Sequence, residues 1–301
     1  MSFTDIIPAD VRARLKDLRL YSQRVSGAQG IGQHQSRSRG AGLEFAQYRA
    51  YEPGDEPRQI DWKLYARSDK FFVREAERDS PMIVWLLIDA TASMAQYDAK
   101  RPEWSRLHAA KAQAACVFEL ALRQGDRFGV IAVNDAGLTV TNAGSGTRHR
   151  DACLLALNKV QAQGSWPAEN KCRPIWERIG AQSLVLLLSD DFDEGSIALA
   201  ERLASARREV LNIQILTAEE RDFPFQGGHR FRDVETNHEL LTDAMPSRAV
   251  FMAEFASARR ALAARLSVSG IKHIEYYLDQ PLDAPLRRLF IQGKARFQES
   301  V

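Results

Sequence analysis

Cysteine is scarce in this sequence and long apolar runs are missing. Cys116, Cys153 and Cys172 are odd in number and show no CxxC spacing. That argues against a disulfide framework and a cysteine zinc site, and it fits a reducing compartment. The longest apolar stretches, Met82 to Ile88 and Leu184 to Leu188, fall far short of the roughly 18 residues of a membrane helix, so no membrane insertion is expected. Asp5, Asp10 and Asp17 interrupt the N-terminal region, which does not read as a secretory signal. Neither sign of charge dominates: 41 Lys+Arg stand against 39 Asp+Glu, a net charge of +2. The basic surplus of a nucleic-acid binder is lacking. His34, His108, His149, His229, His238 and His273 are scattered without metal-binding spacing. The chain has no Gly-x-Ser-x-Gly elbow and no Gly-x4-Gly-Lys-Ser/Thr phosphate loop. The expectation is a cytoplasmic globular protein without a nucleic-acid partner.

What is present is an ordinary globular composition, 45% hydrophobic and 27% charged over 301 residues, long enough for a core without staples. Val11, Leu15 and Leu18 mark an amphipathic helix. The polar, glycine-rich stretch from Ser26 to Gly42 reads as a loop. Residues 1–41 therefore form an N-terminal helix and loop, and residues 42–80 a small β-rich segment. In that segment Ile60 to Tyr65 reads as extended, Pro53-Gly54-Asp55 as a turn and Phe71 to Val73 as a strand. Asp55, Arg58, Asp61 and Arg67 alternate in sign around Trp62 and Tyr65. They are expected to form an ion-pair network, with Trp62 in the core.

From Met82 the pattern alternates strand and helix. Strands are expected at Met82 to Ile88, Arg127 to Val133, Leu138 to Thr141, Leu184 to Leu188, Val210 to Leu216 and Ile271 to Leu278. Helices are expected at Trp104 to Arg123, Arg148 to Gln161, Ser196 to Arg208, Pro246 to Leu266 and Pro281 to Gln292, with a turn at Thr236-Asn237. Continuous apolar strands separated by helices predict an α/β fold with a doubly wound, mostly parallel sheet over residues 81–301.

In such a sheet ligands bind outside the carboxyl ends of the strands. The residues there are Asp89, Thr91 and Ser93 after one buried strand and Asp190 after another, with Thr147 at the start of the helix from Arg148. Two carboxylates and three hydroxyls are hard oxygen donors, which suit Mg²⁺, Mn²⁺ or Ca²⁺ and not Zn²⁺ or Cu²⁺. His149, near Thr147, is expected to face solvent.

Asp89-x-Thr91-x-Ser93, Thr147 and Asp190 together resemble the metal-ion-dependent adhesion site of von Willebrand factor type A domains, with Thr91 where the usual pattern has Ser. Upstream, Gly42-Leu43-Glu44-Phe45, Tyr48-Arg49, Gly54-Asp55, Arg58, Ile60-Asp61-Trp62 and Ala66-Arg67 resemble the bacterial domain-of-unknown-function family fifty-eight, in which this block precedes a von Willebrand A-like domain. The resemblance implies a non-enzymatic interaction module with a Mg²⁺- or Mn²⁺-dependent site. It further implies an adaptor or cochaperone whose partner is a MoxR-type AAA+ ATPase or its client. Two alternatives remain: an interaction scaffold with a degenerate, metal-free site, and a haloacid-dehalogenase-like Mg²⁺-dependent phosphatase using Asp89.

Overall fold

Every residue of the run from Val84 to Asp89 is buried, as expected of a strand covered on both faces. This strand is β3, Ile83–Asp89. Its side chains alternate between two cores. Val84, Leu86 and Ile88 enter one, and Trp85 and Leu87 enter the other. The computed structural model describes residues 7–22, 45–51, 60–76, 81–225, 227–232 and 239–291.

Those residues fall into two units, 1–29 with 82–301 and 30–81. The larger unit begins with α1, Ala9–Arg14, and a short 3₁₀ turn, Leu15–Asp17. Val11, Leu15, Leu18 and Leu20 belong to the same core as Val84. Arg14 Nη2 bonds Asp283 at 2.8 Å. The first helix is therefore part of the main unit and not of a separate 1–41 segment, because its apolar face needs that core for burial.

The smaller unit pairs β1, Phe45–Ala50, antiparallel with β2, Phe72–Ala76. Between them lies α2, Trp62–Ser68, where the sequence suggested extended chain. Asp61 is its N-cap, accepting from the Lys63 and Leu64 amides at 2.9 and 3.0 Å, and so starts a helix. Trp62 is 59% exposed, with its ring edge-on to Tyr65 and Phe71. The expectation of a core Trp62 is corrected: as the first residue of the helix, directly after the Asp61 cap, it is exposed. Asp55, Arg58, the Ser26 to Gly42 loop and the turn at Thr236-Asn237 lie outside the described residues.

The main sheet is completed by β4, Arg127–Asn134; β5, Gly137–Gly144; β6, Leu184–Ser189; β7, Glu209–Leu216; and β10, Lys272–Tyr277. Its order is β10-β7-β6-β3-β4-β5, parallel except for the β4–β5 pair. Around it lie α3, Arg106–Gln124; α4, Thr147–Lys159; α5, Glu169–Arg178; α6, Glu194–Ser205; α7, Ala218–Asp222; α8, Ala244–Val268; and α9, Ala284–Ile291. A separate antiparallel pair joins β8, Gly228–Arg232, to β9, Glu239–Asp243. The doubly wound, mostly parallel α/β fold expected from the sequence is observed. Helix α5 was not expected, because it is polar and carries Pro174 inside it.

Chain order runs from β3 outward to β4 on one side and later to β6 on the other. The strand order therefore reverses between β3 and β6. The crevice at their carboxyl ends is the switch point where open α/β sheets place ligands.

Candidate functional site at the carboxyl edge of the sheet

Asp89 is the last residue of β3 and is 1% exposed. Its Oδ1 accepts from the Thr91 amide at 2.9 Å and from the Thr91 hydroxyl at 2.7 Å. This closes a tight turn that leads into a 3₁₀ segment, Ala92–Ala95. Its Oδ2 accepts from the Ser189 hydroxyl, at the end of β6, at 2.7 Å. Thr91 Oγ1 lies 3.0 Å from Ser93 Oγ. One strand end thus orders two hydroxyls through one carboxylate.

Asp190, also 1% exposed, follows β6. Its main-chain oxygen accepts from Gln214 Nε2 at 2.9 Å, and its Oδ1 accepts from the Phe192 amide at 3.3 Å. Its Oδ2 accepts from Arg106 Nη1 at 2.7 Å. Arg106 opens α3 and is 1% exposed. The same Nη1 reaches the Ser93 main-chain oxygen at 3.3 Å, and Nη2 pairs with Glu220 of α7. Burial opposes the guanidinium charge, but the Glu220 and Asp190 carboxylates outweigh it and raise its pKa.

The structure brings Asp89, Thr91, Ser93 and Asp190 together. It does not bring Thr147. Because β5 runs antiparallel to β4, its end pairs with the start of β4, Gly144 opposite Phe128. Thr147, the first residue of α4, is exposed at the amino edge of the sheet, opposite the site. His149 is half-buried there, its Nε2 2.7 Å from the Phe128 oxygen, and not turned to solvent. Helix α4 then carries the chain back, and residues 163–165 lie beside the Asp89 loop. Gln163 N donates to Ala90 O at 2.9 Å, and Ala92 N donates to Gly164 O at 2.8 Å. A further hydroxyl at this edge, where the sequence suggested Thr147, is that of Ser165, which donates to Asp135 Oδ2 at 3.2 Å. Gly164 has φ +66°, and a Cβ there would lie 1.9 Å from Asp135 Oδ1.

Reading the sequence also missed Arg106, Glu220 and Ser189. Arg106 left one signal. A cation in the first turn of a helix opposes the helix dipole, so it requires carboxylate partners from elsewhere.

Negative charge exceeds positive in this buried region. Burial, and then the charge of Asp190, push the Asp89 carboxyl up to about 7, against the opposing pull of the Thr91 and Ser189 hydrogen bonds. Burial pushes Asp191 up to about 8. Asp191 Oδ2 accepts from Asn212 Nδ2 at 2.6 Å, which in turn lies 3.2 Å from His273 Nδ1. A cation placed here would favour the ionised carboxylates.

Two oxygen ligands at right angles, each about 2.1 Å from an octahedral Mg²⁺, sit about 3.0 Å apart. The Thr91–Ser93 spacing of 3.0 Å matches that edge. Among the described residues no group of three or more His, Cys, Asp or Glu side chains has metal-holding geometry. An ion here would therefore rest on hydroxyls and water together with the carboxylates. Phe192 and Tyr97 are exposed close to the cluster, 54% and 49%, and the Arg106 guanidinium carbon lies 5.2 Å from the Phe192 ring centre.

The model of the family described as "Protein of unknown function DUF58" matches residues 47–263. The chain belongs to the DUF58 family. The match spans Asp89, Thr91, Ser93, Arg106, Asp190 and Glu220. Similar chains include the uncharacterized protein Rv1480 of Mycobacterium tuberculosis and the uncharacterized protein Mb1516 of Mycobacterium bovis. Each is 27% identical over 269 residues, covering 87% of this chain and 82% of its own length. Among solved structures, BatB from Bacteroides thetaiotaomicron is 13% identical with a TM-score of 0.42, and the SpRpn10 VWA domain is 14% identical with a TM-score of 0.41. Each match covers 69% of this chain and 95% of the other. The fold class of this DUF58 chain rests on its own sheet order and strand directions.

Proposed function

We propose that this DUF58 chain is a non-enzymatic protein-interaction module whose recognition site is the carboxyl edge around Thr91 and Ser93, with a Mg²⁺ or Mn²⁺ ion as its cofactor. The observation that carries this reading is the 3.0 Å hydroxyl pair backed by the buried Asp89. Thr91 and Ser93 supply neutral oxygens to the ion. Asp89 orients Thr91, whose hydroxyl in turn bonds that of Ser93, and with Asp190 it supplies negative charge. An octahedral ion held by so few side chains keeps water positions that a partner's carboxylate displaces. Phe192 and Tyr97 supply the exposed aromatic surface on which interface energy concentrates.

The partner we propose is a MoxR-type AAA+ ATPase or its client, in the cytoplasm, with this protein as adaptor or cochaperone. The three free, buried cysteines accord with a reducing compartment, and among the described residues no helix is long and apolar enough to cross a membrane. A phosphatase reading is weaker. Both oxygens of Asp89 already accept hydrogen bonds, and Thr91 stands where a general acid is needed. A metal-free scaffold is favoured by the Arg106 guanidinium on Asp190 and by the lack, among the described residues, of a metal-holding group of three or more His, Cys, Asp or Glu side chains.

The test is binding of the purified MoxR-type ATPase of the same organism to the parent in Mg²⁺, to the parent in EDTA, and to Ser93→Ala in Mg²⁺. Loss of binding in the last two supports the proposal. Equal binding in all three moves the protein to the metal-free scaffold.

A further inference from the structure

We propose that Arg106 is a built-in competitor of the divalent ion for Asp190, and that Glu220 is the seat to which it retreats. This inference rests on the ion site proposed above. The Arg106 side chain has three partners. Nη1 bonds Asp190 Oδ2 at 2.7 Å and the Ser93 oxygen at 3.3 Å, while Nη2 bonds Glu220. The guanidinium is thus attached both to the second carboxylate of the site and to the backbone of a residue that supplies a hydroxyl.

A buried guanidinium needs an anionic partner, because leaving the charge alone in the interior is strongly unfavourable. A divalent ion beside it would draw on the same Asp190 carboxylate and repel the guanidinium. Both cations are accommodated only where a second carboxylate takes over the arginine. Glu220 is placed for that. One of its oxygens faces Arg106, and the other accepts from Thr217 N at 2.8 Å and Thr217 Oγ1 at 3.0 Å. Thr217 caps α7 through a reciprocal pair with Glu220, so Glu220 is held in position whether or not Asp190 shares the arginine. Its side chain is 18% exposed, against 1% for Asp190, which makes it the better solvated of the two anions.

How Arg106 is shared between the two carboxylates then sets ion affinity. With Glu220 neutralised, Arg106 commits to Asp190 and the ion binds more weakly. With Arg106 and Glu220 both neutralised, the buried charge balance is kept, Asp190 is released and the ion binds more tightly. A residue that merely stabilised the fold would give losses in both variants.

The experiment is Mn²⁺ binding, followed by electron paramagnetic resonance and calorimetry, on the parent, Glu220→Gln and Arg106→Gln/Glu220→Gln. Circular dichroism confirms that each is folded, and Ser93→Ala in each background locates the ion. The expected result is affinity at least about tenfold tighter in the double variant, near the lower end of a charge-assisted hydrogen bond, and at least about threefold weaker in Glu220→Gln. Equal affinities in the three proteins, all abolished by Ser93→Ala, would overturn the role of Arg106 while leaving the ion site. Absence of Mn²⁺ binding in all three would overturn the ion site and this inference with it.

Discussion

Arg106 Nη1 donates to Asp190 Oδ2 at 2.7 Å, and each side chain is 1% exposed. This ion pair spans the reversal point of the sheet, joining the first turn of α3 to the loop after β6. Replacing Arg106 alone by Met strands the buried Asp190 carboxylate and leaves the partly exposed Glu220 without its cation. The expected destabilisation is about 3–5 kcal/mol, measured by urea unfolding in EDTA. A loss below about 1 kcal/mol would mean that solvent reaches these groups freely.

Thr91 and Thr147 provide a matched contrast. Through the proposed ion site, Mg²⁺ at about 100 times its dissociation constant is expected to stabilise the parent by roughly 2.7 kcal/mol. Thr91→Val removes that gain, because it deletes one of the two paired hydroxyls. Thr147→Ala keeps it and shifts stability by no more than about 0.5 kcal/mol, as an exposed residue at the far edge should. Thermal melts with and without Mg²⁺ read both effects. A parent-like response in Thr91→Val removes the hydroxyl pair from the site.

Asp89 and Asp191 give the ion-free protein a pH dependence. Burial raises both folded-state values, to about 7 and about 8, while the unfolded values stay near 3.8. Between those limits the folded state binds more protons, so stability falls as pH rises through the window. Burial lowers the His273 value from 6.5, so that imidazole is largely neutral in both states above about pH 7. Unfolding in EDTA is therefore expected to become easier as pH rises toward about 8, most cleanly between about pH 7 and pH 8 where the His273 contribution is small, and to level off above that. Asp191→Asn reduces the slope. A flat or rising profile would contradict the buried-carboxylate account.

Trp62 should behave as a surface residue despite its size. It is 59% exposed and touches Tyr65 and Phe71 through ring edges. Trp62→Ala is expected to cost under about 1.5 kcal/mol, against the roughly 3–5 kcal/mol of a buried tryptophan. Chemical denaturation of the full chain distinguishes the two values.

The strands were legible because β3 and β6 are near-continuous apolar runs, as a doubly covered parallel sheet requires. Asp89, Thr91, Ser93 and Asp190 were legible because the carboxyl-end rule places whatever follows β3 and β6 at one crevice. Thr147 was misplaced because strand direction is absent from hydrophobic periodicity. The signal lay instead in the two residues, Asp135 and Ala136, that join β4 to β5. So short a link permits only an antiparallel pair. It sends the end of β5 to the far edge and leaves Ser165, one helix later, beside the site. Arg106 and Glu220 were not legible, since their pairing joins α3 to α7 through tertiary packing alone. Trp62 was misread because aromatic content suggested core, while the Asp61 cap that turns the chain into a helix went unweighed.

The central claim is that the Thr91–Ser93 edge holds a divalent ion, and a crystal structure grown with Mn²⁺ tests it most directly. The account predicts one anomalous-scattering peak about 2.1 Å from both Thr91 Oγ1 and Ser93 Oγ, with Arg106 drawn toward Glu220. Well-ordered hydroxyls with no peak between them, and Arg106 still bonded to Asp190, would contradict it.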